Sequence, residues 1–490
     1  MWNNLAVSFD PAIVHGSSFL LACAAATVLL LLVLIAKARL HPALALVVSA
    51  LTLGVASGMP LNQVPLSFTA GVGNLMGHIA IILALGAVLG QLLAASGGAT
   101  ALGRALVENC GPKGLPWALL ALGILVGMPV FFEVGLVLLL PIVAAAAERS
   151  HRPPILVAMP MLAGLSIVHC TLPPHPAAML AVTQYHADLG RTILWGLVVG
   201  LPAAALAGPG LGWLSLRRWE KQTNASATES VEQEPTIFDA VIENAEQASE
   251  IPDAVKMARN ENIPAPAGPI RAAAAILLPV ALIFLGSWAN ALAASGSIAN
   301  QVLRFIGTPE VALLIAVLVA LVTLGSHVQT GQHHGRELLR KLTGESFEPI
   351  ANVLVILAAA GGLSGILRDS GAAQATVSLA LGASIPPLLL AWMMAAVVRV
   401  ATGSATVAMA VASSILAPMA AHAGVRPELL VLATGTGSIM LSHVNDPGFW
   451  LIQSFFKLEL KETLATWTVL ETVLSVAGLG TTLILAAVLR

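Results

Sequence analysis

Charge is scarce in this 490-residue chain: Asp, Glu, Lys and Arg together supply 10% of it, against about 25% in an ordinary soluble protein. A chain so poor in charge cannot face water over its whole surface, which excludes a soluble globular enzyme or scaffold. Aromatic residues are also few, 4% with the single tyrosine Tyr185, and a formal net charge of −2 leaves no basic patch. Nucleic acid is thereby excluded as a partner, because its binders need a positive footprint interleaved with aromatic platforms. The three cysteines, Cys23, Cys110 and Cys170, are widely spaced. They form neither a disulfide framework nor a CxxC metal pattern and read as small buried hydrophobes. HExxH, GxSxG, Walker A and dinucleotide fingerprints are missing as well, so the chain is expected to be no enzyme and to hold no cofactor. Any uphill transport must then draw on an ion gradient.

What the chain has instead is apolar sequence, 57% of its residues, with a mean hydropathy of +0.88. Runs of about 20 apolar residues, each enough helix for a hydrocarbon core of roughly 30 Å, recur from GSSFLLACAAATVLLLLVLIA at 16–36 to the run at 465–488. The first run is long and lacks a basic leader, so it reads as a span and not as a secretory signal. Dyad alternation does not dominate anywhere, and the expected fold class is an all-α polytopic membrane protein. Eleven to fourteen membrane segments are expected, some of them re-entrant; a polar-leaning stretch at 58–73 separates the second run from a span around 77–95.

The hydrophobic sequence is interrupted once. Residues 224–262 carry nine acidic and two basic residues with little apolar periodicity, the signature of a solvated linker. This divides the chain into a first membrane half at 1–216, an acidic polar linker at 217–269 and a second membrane half at 270–490. The basic cluster Arg217-Arg218-Trp-Glu-Lys221 places the linker on the cytoplasmic side by the positive-inside rule. The halves echo one another. GAVLGQLLAASGGA (86–99) resembles GGLSGILRDSGAA (361–373), and a constant shift of 274 residues lays Arg152-Pro153 on Arg426-Pro427, His169 on His443, Thr171 on Asn445 and Pro173 on Pro447. Internal repeats broken at corresponding positions mark secondary transporters and point to their binding site.

Four polar constellations lie in the apolar sequence. Glu133 sits within GMPVFFEVGLVLLL; facing lipid it would cost roughly 3 kcal/mol, so it is expected to face protein or water. SIVHCTLPPHP (166–176) ends an apolar run with Ser166, His169, Thr171, His175 and three prolines. Backbone that is not helical at membrane depth is tolerated only where it lines a cavity or meets protein, and a helix ending near the midplane is expected here; an external loop is the alternative. Arg399 lies in AWMMAAVVRVATGSATVAMAV and needs an acidic partner, an anion or water. Ser404 and Thr406 follow it with hydroxyls and a glycine. GTGSIMLSHVNDPGFW (435–450) brings Ser442, His443, Asn445 and Asp446 to a Pro-Gly stop at the position matched to the first break. By contrast HVQTGQHHGRE (327–337), with His333 and His334, reads as a surface turn in preference to a metal site.

The blocks GMPVFFEVGLVLLLPI, AGLSIVHCTLPPHPAAM, VRVATGSATVA and GSIMLSHVNDPGFWL, in this order and spread over nearly the whole chain, resemble the gluconate permease family of bacterial inner-membrane symporters. The resemblance implies two inverted repeats with broken or re-entrant helical hairpins, a multi-pass protein of the bacterial inner membrane, and import of gluconate or a related sugar acid driven by protons. The acidic linker is longer and more charged than the resemblance leads one to expect. On the residues themselves, Ser166, His169, Thr171, His175, Ser404, Thr406, Ser442, His443 and Asn445 are the substrate-binding candidates, with Arg399 or helix-end amides for the carboxylate. Glu133, His169, His443 and Asp446 are the groups able to carry the coupling proton; sodium remains an open alternative, since carbonyls at broken helices ligate it as readily. The expected partners are a small organic anion and the lipid bilayer, with a homo-oligomer left open. D-serine or glycerate uptake by the same mechanism, and a channel or membrane scaffold without coupling, are the competing readings.

Overall fold

The computed structural model describes residues 16–108, 110–215, 267–328, 336–375, 385–420 and 424–489. Residues 217–266 of the acidic linker and the histidines His333 and His334 lie outside the described residues. Among the described residues all regular structure is helical, as expected of a chain whose backbone amides and carbonyls must be satisfied locally in hydrocarbon. In chain order the helices are α1 (Ser17–Ala36), α2 (Pro42–Ala56), α3 (Val64–Ala95), α4 (Gly98–Glu108), α5 (Leu115–Gly127), α6 (Phe132–Ser150), α7 (Pro154–Thr171), α8 (Pro176–Tyr185) and α9 (Leu189–Ala205). The second half adds α10 (Pro269–Ser287), α11 (Ile298–Ile306), α12 (Pro309–Thr323), α13 (Arg336–Glu345), α14 (Glu348–Asp369), α15 (Pro387–Thr402), α16 (Ala405–Ala420), α17 (Pro427–Gly437), α18 (Pro447–Phe455) and α19 (Val469–Val488). Seven helical stretches among the described residues are long and apolar enough to span a membrane; α11 and α12 form an eighth candidate bent by 71°, and α2, α5, α15 and α16 are apolar but shorter.

Prolines that look like helix breakers in the sequence mostly start helices instead. Pro42, Pro154, Pro176, Pro269, Pro309, Pro387, Pro427 and Pro447 all occupy the first helical turn, where their missing N–H costs nothing and their fixed φ is already helical. The stretch at 58–73 also departs from its reading as a polar spacer. From Val64 onward it belongs to α3, whose 32 residues extend about 48 Å at 1.5 Å per residue. Its early part packs closely on α14: a Cβ on Gly71 would lie 3.0 Å from the Gly365 Cα. Small residues at a crossing let two backbones approach without side chains between them.

The broken span α7–α8 is the centre of the molecule. Ninety-four per cent of its apolar window is buried against other helices, compared with 28% for α1, so α7 has no face left for lipid. Glycines again set the approach. A Cβ on Gly164 of α7 would meet the Ile124 amide of α5 at 2.9 Å, and one on Gly435 of α17 would sit 3.1 Å from the Cys170 carbonyl carbon. The second contact joins the broken helices of the two halves. Tyr185 and Thr434 share a hydrogen bond of 2.9 Å, Ser364 donates to Gln184 at 3.0 Å, and Thr481 donates to the Val199 carbonyl at 3.2 Å. The halves of the sequence are therefore interleaved in space.

Candidate functional site

Of four interruptions of helix, three line one cavity and one stands behind its wall. The first lies between α5 and α6 at 128–131, the second between α7 and α8 at 172–175, the third between α15 and α16 at Gly403-Ser404, and the fourth between α17 and α18 at 438–446. The cavity, about 150 Å³, is lined by Phe132 and Glu133 from the first, by Ser166 and His169 of α7, by Arg399 and Gly403–Thr406 around the third, by Ile439 and Asp446–Gly448 from the fourth, and by Trp467 and Glu471 of the last span. Two larger cavities, of about 570 and 530 Å³, lie elsewhere. Neither gathers buried carboxyls around a buried arginine, so chemistry, and not size, singles out the smaller one.

The third interruption is built by Gly403, whose φ of +72° is a left-handed conformation that glycine adopts freely. A Cβ there would also run into the Asn445 carbonyl. Ser404 caps the next helix, its Oγ accepting from the Val407 N–H at 3.3 Å, as serine does at a helix start. The turn leaves Arg399, 4% exposed, aimed into the protein. Its guanidinium donates to the Gly403 carbonyl and to Asp446 Oδ2, which also accepts from Ser442. Asp446 Oδ1 takes the Gly448 N–H at 2.9 Å. This is the acidic partner that a buried arginine requires.

Glu133 stands in the first turn of α6, where amides and the helix dipole favour a carboxylate; it keeps exposed surface and lines the cavity. Three polar atoms of the cavity wall, His169 Nδ1, Arg399 Nε and Glu471 Oε1, are buried and have no hydrogen-bond partner among the described residues. Buried polar atoms are almost always paired in folded proteins, so three unpaired ones around one space point to a ligand. Among the described residues no group of His, Cys, Asp and Glu is arranged to hold a metal ion.

The residues singled out in the sequence thus divide. Glu133, Ser166, His169, Arg399, Ser404, Thr406 and Asp446 line the cavity, while five others stand behind its wall. Thr171 turns its hydroxyl back onto the Ile167 carbonyl at 2.6 Å. His175 packs on His169, ring centroids 4.0 Å apart, and on Phe131. Ser442 is held between Asp446 and Trp467, whose Nε1 donates to it at 2.7 Å. His443 Nε2 and Asn445 Nδ2 both meet the Val400 carbonyl, at 3.1 and 2.8 Å, bracing the end of α15. The repeat register places His443 on His169, yet α7 stays helical through Thr171 whereas α17 stops at Gly437. The second break is longer, and its histidine falls outside the cavity.

With this geometry in view, the comparison with known proteins is decisive. The model of the GntP family permeases matches residues 19–488. This chain belongs to the GntP permease family. The permease is 41% identical to the gluconate permease of Pseudomonas aeruginosa, over 96% of this chain and 98% of that one. It is 31% identical to the D-serine transporter DsdX of Escherichia coli, over 97% and 100%. Among solved structures, the YdaH transporter of Alcanivorax borkumensis superposes with a TM-score of 0.60 at 16% identity, covering 92% of this chain and 98% of that one, a likeness of fold alone. The permease is a multi-pass membrane transporter and not an enzyme.

Sequence reasoning missed Glu471, Trp467 and Phe132 in the permease's cavity. Glu471 carried the same signal as Glu133 and Arg399, an ionisable group inside an apolar run, TWTVLETVLSVAGLG.

Proposed function

We propose that the chain is a secondary symporter of the bacterial inner membrane that imports a small hydroxylated monocarboxylate, gluconate or a related sugar acid, together with a proton. The single observation that carries this reading is the set of three unpartnered polar atoms, His169 Nδ1, Arg399 Nε and Glu471 Oε1, around one cavity that three helix breaks line. The likeness to the gluconate permease of Pseudomonas aeruginosa supports the choice of a sugar acid. Two inverted repeats, one in each half of the sequence on either side of a cytoplasmic linker, account for the matched breaks.

In this reading the arginine Arg399 attracts the substrate carboxylate, and its planar guanidinium suits a two-point contact. Ser166, Ser404 and Thr406 offer hydroxyls to the substrate's own hydroxyls, and His169 an imidazole nitrogen. Thr171, His175, Ser442, His443 and Asn445 hold the wall in place. Of the proton-carrying candidates, Glu133, His169 and Asp446 line the cavity and His443 does not. D-serine is the second reading, favoured by the 31% identical relative that carries it; it too is a small carboxylate with a hydroxyl.

The test is uptake into vesicles holding the purified chain, under an imposed pH gradient, with gluconate, other hexonates, glycerate and D-serine in competition. Gradient-driven accumulation abolished by an uncoupler is expected. Accumulation indifferent to the uncoupler but dependent on sodium would replace the proton, and absence of any accumulation would favour a channel or scaffold.

A further inference from the structure

The charges around the cavity do not balance, and the imbalance singles out one group. Arg399 is the cation of the wall, and Asp446 already pairs with it, taking Arg399 and Ser442 on one oxygen and the Gly448 amide on the other. Asp446 is thereby held as a brace, with both oxygens engaged. Two further carboxyls remain in the wall, Glu133 and Glu471, and they differ. Glu133 stands in the first turn of α6 and keeps exposed surface. Glu471 is 1% exposed and lies within the last span. Its Oε1 is buried and has no partner among the described residues. The titratable and charged groups that face it are Arg399, Asp446 and Cys170, with Glu133 and His169 across the cavity.

An arriving monocarboxylate adds a further negative charge to this space. Glu133 and Glu471, if both ionised, repel an anionic substrate brought between them. A proton on Glu471 removes one of those charges and does something more. It turns a bare acceptor into an O–H donor, so that the proton itself becomes a contact to the substrate.

We propose that Glu471 is the site of the coupling proton, and that its protonated carboxyl donates a hydrogen bond directly to the bound substrate. This rests on the symport reading above. The cycle is balanced: the O–H bond forms with a proton from the outer side as substrate enters, and it breaks to release that proton inside after substrate leaves. One proton and one monovalent anion carry no net charge, so a pH gradient alone drives the exchange. The position also suits a link to the breaks. Just ahead of Glu471 the helix contains a π-turn at Leu464–Thr468, a feature frequent at functional sites. Two side chains of that turn, Trp467 and Thr468, hold Ser442 beside Asp446 at 2.7 and 2.5 Å.

The experiment uses the full chain in proteoliposomes with radiolabelled gluconate, and the detergent-purified chain for equilibrium gluconate binding against pH. In the wild type, an interior more alkaline by one unit supports about tenfold accumulation at one proton per anion. Above the midpoint of the titration, binding weakens by about tenfold per pH unit for one linked proton. Glu471→Gln keeps a donor but cannot exchange a proton; its steady-state ratio of inside to outside gluconate is expected to fall to about one, with binding no longer dependent on pH. Glu471→Asp retains coupling and moves the midpoint. Accumulation by Glu471→Gln equal to the wild type overturns the proposal, as does loss of the pH dependence in Glu133→Gln alone. If Glu471→Gln neither binds nor transports, Glu471→Asp decides: a shifted midpoint supports the assignment, an identical one overturns it. A wild type that accumulates none of the four acids sinks the symport reading itself, an outcome distinct from a coupled wild type with a coupled Glu471→Gln.

Discussion

Arg399 and Asp446 depend on one another more than either contributes alone. Removing one partner of a buried ion pair strands the other charge, at a cost of about 3–5 kcal/mol. Asp446→Ala is therefore expected to lower the unfolding temperature of the purified chain sharply. The double variant Arg399→Met with Asp446→Leu should recover most of that loss and yet transport nothing, because the cation proposed to attract the carboxylate is gone. A similar contrast separates two residues that the sequence placed side by side in the site. His169→Ala should raise the apparent KM for uptake, since the imidazole lines the cavity. Asn445→Ala removes a hydrogen bond to the Val400 carbonyl; it should cost about 1 kcal/mol of stability and impair transport by loosening the end of α15, with little change in KM. Kinetics and melting curves on both variants distinguish the roles.

At the scale of helices, glycine positions decide which segments can cross. Gly435 lies against the Cys170 carbonyl where α17 meets α7, whereas Gly77 on α3 has nothing near the place a Cβ would occupy. Gly435→Val is expected to abolish assembly, read as loss of a monodisperse peak in size-exclusion chromatography. Gly77→Ala should be tolerated and gain up to about 1 kcal/mol from helix propensity. The reading of α3 shows why such positions are hard to interpret one at a time. The stretch at 58–73 has the glycines, prolines and polar residues of a spacer, and yet its glycine at 71 is a packing surface for Gly361 and Gly365 of α14. A glycine that loosens an isolated helix tightens a crossing, and only the partner helix tells the two apart.

For the molecule as a whole, the convergence of helix interruptions on one cavity predicts a pattern of access. In a chain with its native cysteines replaced, Ser404→Cys and Thr406→Cys should react with a water-soluble thiol reagent and be protected by gluconate. Thr171→Cys, fully buried behind the wall, should not react; equal labelling at all three positions would place the site elsewhere. Much of this was legible beforehand. Low charge and long apolar runs fix hydrocarbon as the solvent, hydrocarbon leaves helices as the economical way to satisfy a backbone, and polar residues beside prolines mark where those helices are interrupted. Glu133, Arg399 and Asp446 were visible for the same reason, because an ionisable group in such sequence must have a partner. Which polar residue faces the solute was not legible, since that depends on rotation about a helix and on the neighbour packed against it. Ser166 and His169, three residues apart, share a face of α7, while Thr171, two residues further, is turned by about 200° at 100° per residue and bonds to its own helix. The sequence alone thus determined the solvent, the secondary structure and the places of rupture, all local consequences of residue type. The tertiary structure decided that the ruptures meet, that Asp446 completes Arg399, and that Glu471 from the last span closes the cavity, because those relations join residues distant in the chain through the crossing of helices.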